Sequence, residues 1–284
     1  MMEKIDLKDE TFDPFRSESY SLSLQVSLVG YKICVIDTVR DCIILLITSP
    51  FDVTLTADDD WGNTMNRLFN QHEILSRKFK NVYFSFESPL FTIVPTELFI
   101  PEKSKQLLDL VHQIPDLYEV RFNQIKELNV TVVFAIPSSL ASNWFMKQPK
   151  TKFIGHSAPL ITLCALAKTS KEEPLILAQL SEGFYIQAIA KNKELLHCNS
   201  FTLYNSNDSV YHLINTCKLL DFDPNKSDIT ISGSLSEMEA LDSMLAQYFK
   251  KVNADGLIDG HNFAYAIAKY KNIYWNLFNL SLCE

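Results

Sequence analysis

The sequence predicts an α/β fold made of two similar lobes. Stretches of strand alternation give way repeatedly to helix-length amphipathic stretches. The opening pattern then returns after residue 174. With 47% hydrophobic and 21% charged residues among 284, the chain has the material for a large folded core.

Taken in order, residues 1–19 read as a leader, mobile or lightly docked. "SLSLQVSLVGYKICVID" (21–37) reads as two strands joined near Gly30, followed by a third, "CIILLIT". A helix is expected from about Asn63 to residue 79, with Asp58, Asp59 and Asp60 at the positive end of its dipole. "VYFSFE" and "LFTIVP" (82–95) predict a hairpin around Ser88-Pro89, and a helix follows Pro101 through "EKSKQLLDLVHQI". "VTVVFAIP" (130–137) is apolar enough for a strand buried on both faces. It turns through "PSS" into the short helix "LASNWFM". "APLITLCALAK" (158–168) predicts a helix with proline in its first turn.

The polar "TSKEEP" (169–174) marks a boundary. Beyond it, "LILAQLSEGFYIQAIAKNKELLHCNSF" (175–201) again gives three strands with a glycine turn between the first two. Laying Gly183-Phe184 on Gly30-Tyr31 aligns Ile186 with Ile33 and Ile189 with Ile36. "SVYHLINTCKLL" (209–220) is helical, and "DITISGSLSEMEAL" (228–241) runs from strand through Gly233 into a helix. Ser234 with Glu237, or Ser236 with Glu239, caps that helix. The organisation expected is a leader (1–19), lobe I (20–170), lobe II (171–252) and a C-terminal segment (253–284) packing back on the lobes.

Composition excludes several classes. Net charge is −8, which disfavours nucleic-acid binding, and the longest basic run, "SRKFK" at 76–80, is short. Six scattered cysteines include no CxxC pair, as expected of free thiols in a reducing cytoplasm. No apolar run approaches the roughly 20 residues of a membrane span, and the start lacks a signal-peptide pattern. Only seven glycines occur where about 20 would be average, leaving little material for a backbone phosphate cradle.

The segments "LSLQVSLVGYKICVID", "VYFSFESPLFTIVPTELF", "VVFAIPSSL", the unit at 228–241 and "NLFNLSLCE" resemble an uncharacterised bacterial domain-of-unknown-function family with an actin-like fold. More widely, the pattern is similar to the superfamily of actin, heat-shock ATPases and sugar kinases, with its cell-division and pilus-assembly homologues. The resemblance implies duplicated ribonuclease-H-like lobes. In the ATP-using members a DxG turn in each lobe's first hairpin holds phosphate and the metal-bound water, and paired glycines hold adenosine. Here "QVSLVGY" and "AQLSEGF" place no Asp two residues before Gly. The aspartate positions fall on Val26 or Ser27 in lobe I and on Gln179 or Leu180 in lobe II. Gly233 stands between Ser232 and Ser234 without its paired glycine. The ligand-binding candidates that the resemblance implies are Gly233, Ser234, Gln179, Ser181 and Glu182.

Other constellations have simpler readings. "DDDWGN" (58–63) is capping charge rather than a metal site. "DFDPNKSD" (221–228) has Lys226 where a calcium loop needs glycine, so it reads as a polar helix–strand loop. "GHS" (155–157) lacks the frame of a nucleophile elbow. In "IYWNLFNLSLCE", Ile273, Leu277 and Leu280 share a face opposite Asn272, Asn276 and Asn279, which suits packing on the core better than a membrane surface. The function expected is a cytoplasmic, non-catalytic scaffold or adaptor for a protein partner, without cofactor or metal, by analogy in cell division or envelope assembly. The alternatives are an actin-like ATPase holding Mg-ATP between the lobes and a small-molecule binder in that cleft. The sequence leaves self-association into a homo-oligomer open.

Overall fold

A computed structural model describes residues 2–56, 61–167, 173–203, 205–233, 241–253 and 260–283. The chain first lays down strands β1 (Ile5–Lys8), β2 (Tyr20–Val26), β3 (Gly30–Asp37) and β4 (Cys42–Pro50), helix α1 (Trp61–Gln71) and strand β5 (Asn81–Phe86). It then leaves to build β6 (Phe91–Pro95), α2 (Ser104–Asp109), β7 (Tyr118–Ile125) and β8 (Val130–Pro137). Helix α3 (Ser138–Lys147), β9 (Thr151–Phe153) and α4 (Ala158–Leu166) complete this half. Lobe II follows with β10 (Leu175–Ser181), β11 (Phe184–Lys191), β12 (Glu194–Thr202), α5 (Ser206–Leu219), β13 (Asp228–Ser232) and β14 (Lys251–Asn253). The chain then returns to lobe I through β15 (Asn262–Phe263) and three helical turns, Tyr265–Ala268, Trp275–Phe278 and Leu280–Cys283.

The two main sheets share one topology. Lobe I runs β4-β3-β2-β5-β9 and lobe II runs β12-β11-β10-β13-β14, in each case third, second, first, fourth, fifth. The first three strands are antiparallel meanders, while β2–β5–β9 and β10–β13–β14 are parallel. The duplication expected from residues 21–37 and 175–201 is present down to strand order. Lobe I extends its sheet with β1 and β15, which pair in succession along the outer edge of β4, β15 at residues 42–43 and β1 at residues 45–48. The opening residues thus contribute a strand, Ile5–Lys8, to the sheet of lobe I.

Three expectations need correction. Residues 82–95 do not form a hairpin: β5 pairs with β2, while β6 joins a separate sheet of order β6-β8-β7. Proximity in sequence suggested the pairing, but β5 completes the parallel centre of lobe I and Ser88-Pro89 is where the chain departs from it. The helix expected to run to residue 79 stops at Gln71, and a 3-10 turn, Glu73–Ser76, follows. There the Tyr31 hydroxyl meets His72 Nε2 at 2.8 Å, tying the break to β3. The helix after Pro101 is also shorter, a 3-10 turn followed by the six residues of α2. Strand β7 was absent from the sequence reading, although Tyr118, Val120 and Phe122 alternate with Glu119, Arg121 and Asn123.

Packing follows the pattern of faces. Trp61 meets Phe86 edge-on, and Trp144 lies against Phe69 and Phe84, so α1 and α3 cover one face of the lobe I sheet. Side chains alternate along strands, so the opposite face takes Ser23, Gln25 and Ser85, all buried. The turn Trp275–Phe278 packs there against β2 and β3. Residues 274–280 are all buried, including the asparagines 276 and 279 that the sequence placed on a polar face. Helix α4 lies between the lobes with every residue from Ala158 to Ala165 buried, touching β7, β10, β11 and β12. A second core, with Leu213, Ile231 and Leu245, fills the outer side of lobe II beneath α5.

Candidate functional site

A Gln-x-Ser closes each first strand: Gln179-Leu180-Ser181 ends β10, while Gln25-Val26 ends β2 and Ser27 opens its turn. Alternation sends Val26 and Leu180 toward their own lobe's core, and turns Gln25, Gln179 and Ser181 toward the space between the lobes, while the Ser27 hydroxyl bonds within its own turn. The neighbouring fourth strand repeats the pattern. Gln25 stands opposite Ser85 on β5, and Gln179 opposite Ser232 on β13. Both of these serine hydroxyls are buried without a hydrogen-bond partner among the described residues. The structure therefore matches Gln25, rather than Val26 or Ser27, with Gln179.

His156, in the loop before α4, joins the two glutamines. The Gln25 amide nitrogen lies 3.0 Å from His156 Nδ1 and donates to Asn276 Oδ1 at 3.2 Å. Asn276 Nδ2 donates to the His156 carbonyl at 2.8 Å and to Gln179 Oε1 at 2.9 Å. On the other side of the ring, His156 Nε2 lies 3.0 Å from Ser181 Oγ, with the Gln179 amide nitrogen farther off at 3.3 Å. An amide donor at Nδ1 places the ring proton on Nε2, where the Ser181 oxygen accepts it. The network joins lobe I, lobe II and the C-terminal turn. All five side chains are buried.

One ion pair completes it. Lys32 Nζ lies 2.6 Å from Glu87 Oε2, on the Ser181 side of the histidine. Burial opposes ionisation of Glu87, but the charge and hydrogen bond of Lys32, with the fields of His156 and Ser181, together outweigh it and lower the carboxyl to about 2. Burial likewise opposes protonation of His156 and lowers it to about 4, so the ring is neutral near pH 7. The centre of the cleft thus holds one internally neutralised ion pair and a set of neutral amides.

The remaining candidates sit at the rim. Glu182 is exposed at the tip of the β10–β11 turn, beside Gly183 at φ 79°. This tip and the facing turn Ser27–Val29 border a pocket of about 410 Å³. Gly233 has φ 126°, and a Cβ there would come within 2.4 Å of the Leu180 carbonyl oxygen. Its missing side chain is therefore accounted for by the turn leaving β13 against β10. Ser234, the paired capping residues and Asp58–Asp60 lie outside the described residues. Among the described residues, no group of three or more His, Cys, Asp or Glu side chains gathers to hold a metal ion. Asp223 caps the backbone of Asn225 in the loop of residues 221–228, as a polar connection does.

The structure brings Gln179 and Ser181 together, leaves Glu182 on the rim and gives Gly233 a backbone role. Sequence reasoning passed over Gln25, His156 and Asn276. The signal available was the repeated Gln-x-Ser in "QVS" and "QLS"; nothing local marked His156 or Asn276.

No curated protein matches the sequence. Among solved structures, a Bacteroides thetaiotaomicron protein with an actin-like ATPase fold and unknown function superposes with TM-score 0.81 at 23% identity. The match covers 96% of this chain and 100% of that one. The PilM–PilN type IV pilus biogenesis complex contains a chain that superposes with TM-score 0.61 at 10% identity, covering 92% of this chain and 97% of that one. The shared strand order and these superpositions make the fold actin-like. Residues 9–252 match the model described as "Protein of unknown function (DUF3822)", so the chain belongs to the DUF3822 family.

Proposed function

We propose that this protein is a non-catalytic scaffold or adaptor that uses an actin-like fold to hold a protein partner. The observation that carries the reading is the amide network in the cleft. Phosphoryl transfer needs carboxylates and backbone donors arranged around a metal ion and the transferred group. At the paired hairpin positions this chain has carboxamides, Gln25 and Gln179, already bonded to His156 and Asn276. The nearby acid, Glu87, is bonded to Lys32. The space beside Gly233 is taken by Leu180 rather than left for a ligand. These residues do not fit a Mg-nucleotide.

The pilus neighbour forms a PilM–PilN complex, which suits an adaptor and suggests envelope assembly by fold analogy alone. Six free cysteines suit a cytoplasmic setting. No helix among the described residues is long and apolar enough to cross a membrane.

Titration with Mg-ATP by calorimetry tests the reading. No heat and no thermal stabilisation are expected at millimolar nucleotide. Micromolar binding would replace the adaptor with an actin-like ATPase.

A further inference from the structure

The pocket at the mouth of the cleft lies apart from the amide network and has its own chemistry. Two segments of lobe I, the turn of residues 27–29 and the crossover of residues 86–90, face the lobe II turn of residues 182–184 across it, with Tyr118 and Thr202 completing the lining. Leu28, Val29, Phe86, Pro89, Leu90 and Phe184 supply apolar walls, and Leu28 is 37% exposed. Its volume of about 410 Å³ is in the range that holds a compact ligand or a few side chains.

Its charge is one-sided. The charged residues lining it are Glu87 and Glu182, and no lysine, arginine or histidine is among the lining residues. Glu87 is neutralised by Lys32, which leaves the exposed Glu182 as the uncompensated charge at the rim. A phosphate or carboxylate would meet apolar walls and a like charge. An apolar group carrying a cation would bury its stem and place its charge by Glu182.

We propose that this pocket docks a segment of a partner protein in which an apolar side chain adjoins a lysine or arginine. The inference rests on the adaptor reading and names the surface that reading requires. Leu28 and Phe184 take the apolar side chain, and Glu182 selects the cation. The intact ion pair beneath keeps the floor neutral. The rest of the cleft is closed by its own hydrogen bonds, so the partner engages its mouth and leaves the amides in place.

Fluorescence anisotropy on the full chain tests this with a labelled peptide of alternating leucine and arginine. The same peptide with glutamate replacing arginine is one control, and inorganic tripolyphosphate is a competitor. The arginine peptide is expected to bind and the glutamate peptide to fail. Glu182→Lys should weaken the arginine peptide about fivefold, and Leu28→Asp about tenfold. Both positions are exposed, and an unchanged melting profile would show that each variant folds. Binding insensitive to both substitutions, or displaced by tripolyphosphate, would overturn the pocket assignment. With a silent Mg-ATP titration, that result removes the pocket and leaves the adaptor reading standing. Micromolar Mg-ATP binding removes the adaptor reading, while peptide binding sensitive to both substitutions still supports the pocket.

Discussion

In lobe I the fourth strand, β5, continues past Ser85 to Phe86 and then to Glu87, whereas in lobe II β13 ends at Ser232 and turns at once through Gly233. Up to those serines the two sheets correspond: the same strand order, Gln-x-Ser on the first strand and serine on the fourth. After them, lobe I sends its chain out to the sheet β6-β8-β7, while lobe II bends sharply against β10. The difference teaches that the duplicated scaffold fixes where polar side chains meet, while each lobe's exit decides what surrounds them. Phe86 and Glu87 give lobe I a wall and an ion pair at the cleft. Gly233 gives lobe II a close backbone contact.

The correspondence is tested most severely at Asn276, which bonds to both glutamines and to His156. Asn276→Ala leaves three buried polar groups short of a partner and should cost about 3–4 kcal/mol in urea unfolding. Double-mutant cycles pairing Asn276→Ala with Gln25→Ala and with Gln179→Ala should give similar coupling energies. Coupling confined to one glutamine would break the equivalence of the lobes at this site.

Acid should loosen the join between them. The unfolded chain protonates His156 near its ordinary 6.5, whereas the folded chain delays to about 4. Its contribution is therefore complete above pH 6.5 and falls as the pH drops toward 4, by about 2–3 kcal/mol. Burial lowers His72 and His197 as well, so the comparison of interest is with His156→Gln. Stability of that variant, measured by urea unfolding across this window, should depend on pH by about one proton less. Equal slopes would show that His156 does not carry the effect.

The smallest effects separate the two turns of lobe II. Gly233→Ala forces a Cβ toward the Leu180 carbonyl at positive φ and should cost about 2 kcal/mol. Gly183→Ala meets no atom within 4 Å, so only the strain of its φ remains, about 1 kcal/mol. Thermal unfolding of both variants would rank them. The reverse order would mean that the exit from β13 relaxes easily.

The repeated meanders were legible because they are local: alternation from Tyr20 to Pro50 and from Leu175 to Thr202 appears within single windows. The placement of β5 and β6 was not, because their partners lie elsewhere in the chain, on β2 at residues 21–26 and on β8 at residues 130–134. Strand β7 carried its own alternation in "YEVRFNQI" and was readable in principle. At the site, Gln179 and Ser181 came into view through the resemblance. Gln25 lies 131 residues from His156 and 251 from Asn276, distances at which no spacing rule operates.

Helix α4 has a consequence for biosynthesis. Its apolar sides are covered by β10, β11 and β12 of the later lobe, and the His156 carbonyl before it waits for an asparagine 120 residues downstream. At roughly 5–20 residues per second, the ribosome takes about 6–24 s to supply that asparagine. The strands that cover this helix, residues 175–202, arrive well before that asparagine, so the amide network is the last of these contacts to close. The polar face of lobe I, with Gln25 and Ser85, therefore waits for the last turns of the chain before it becomes half of a cleft.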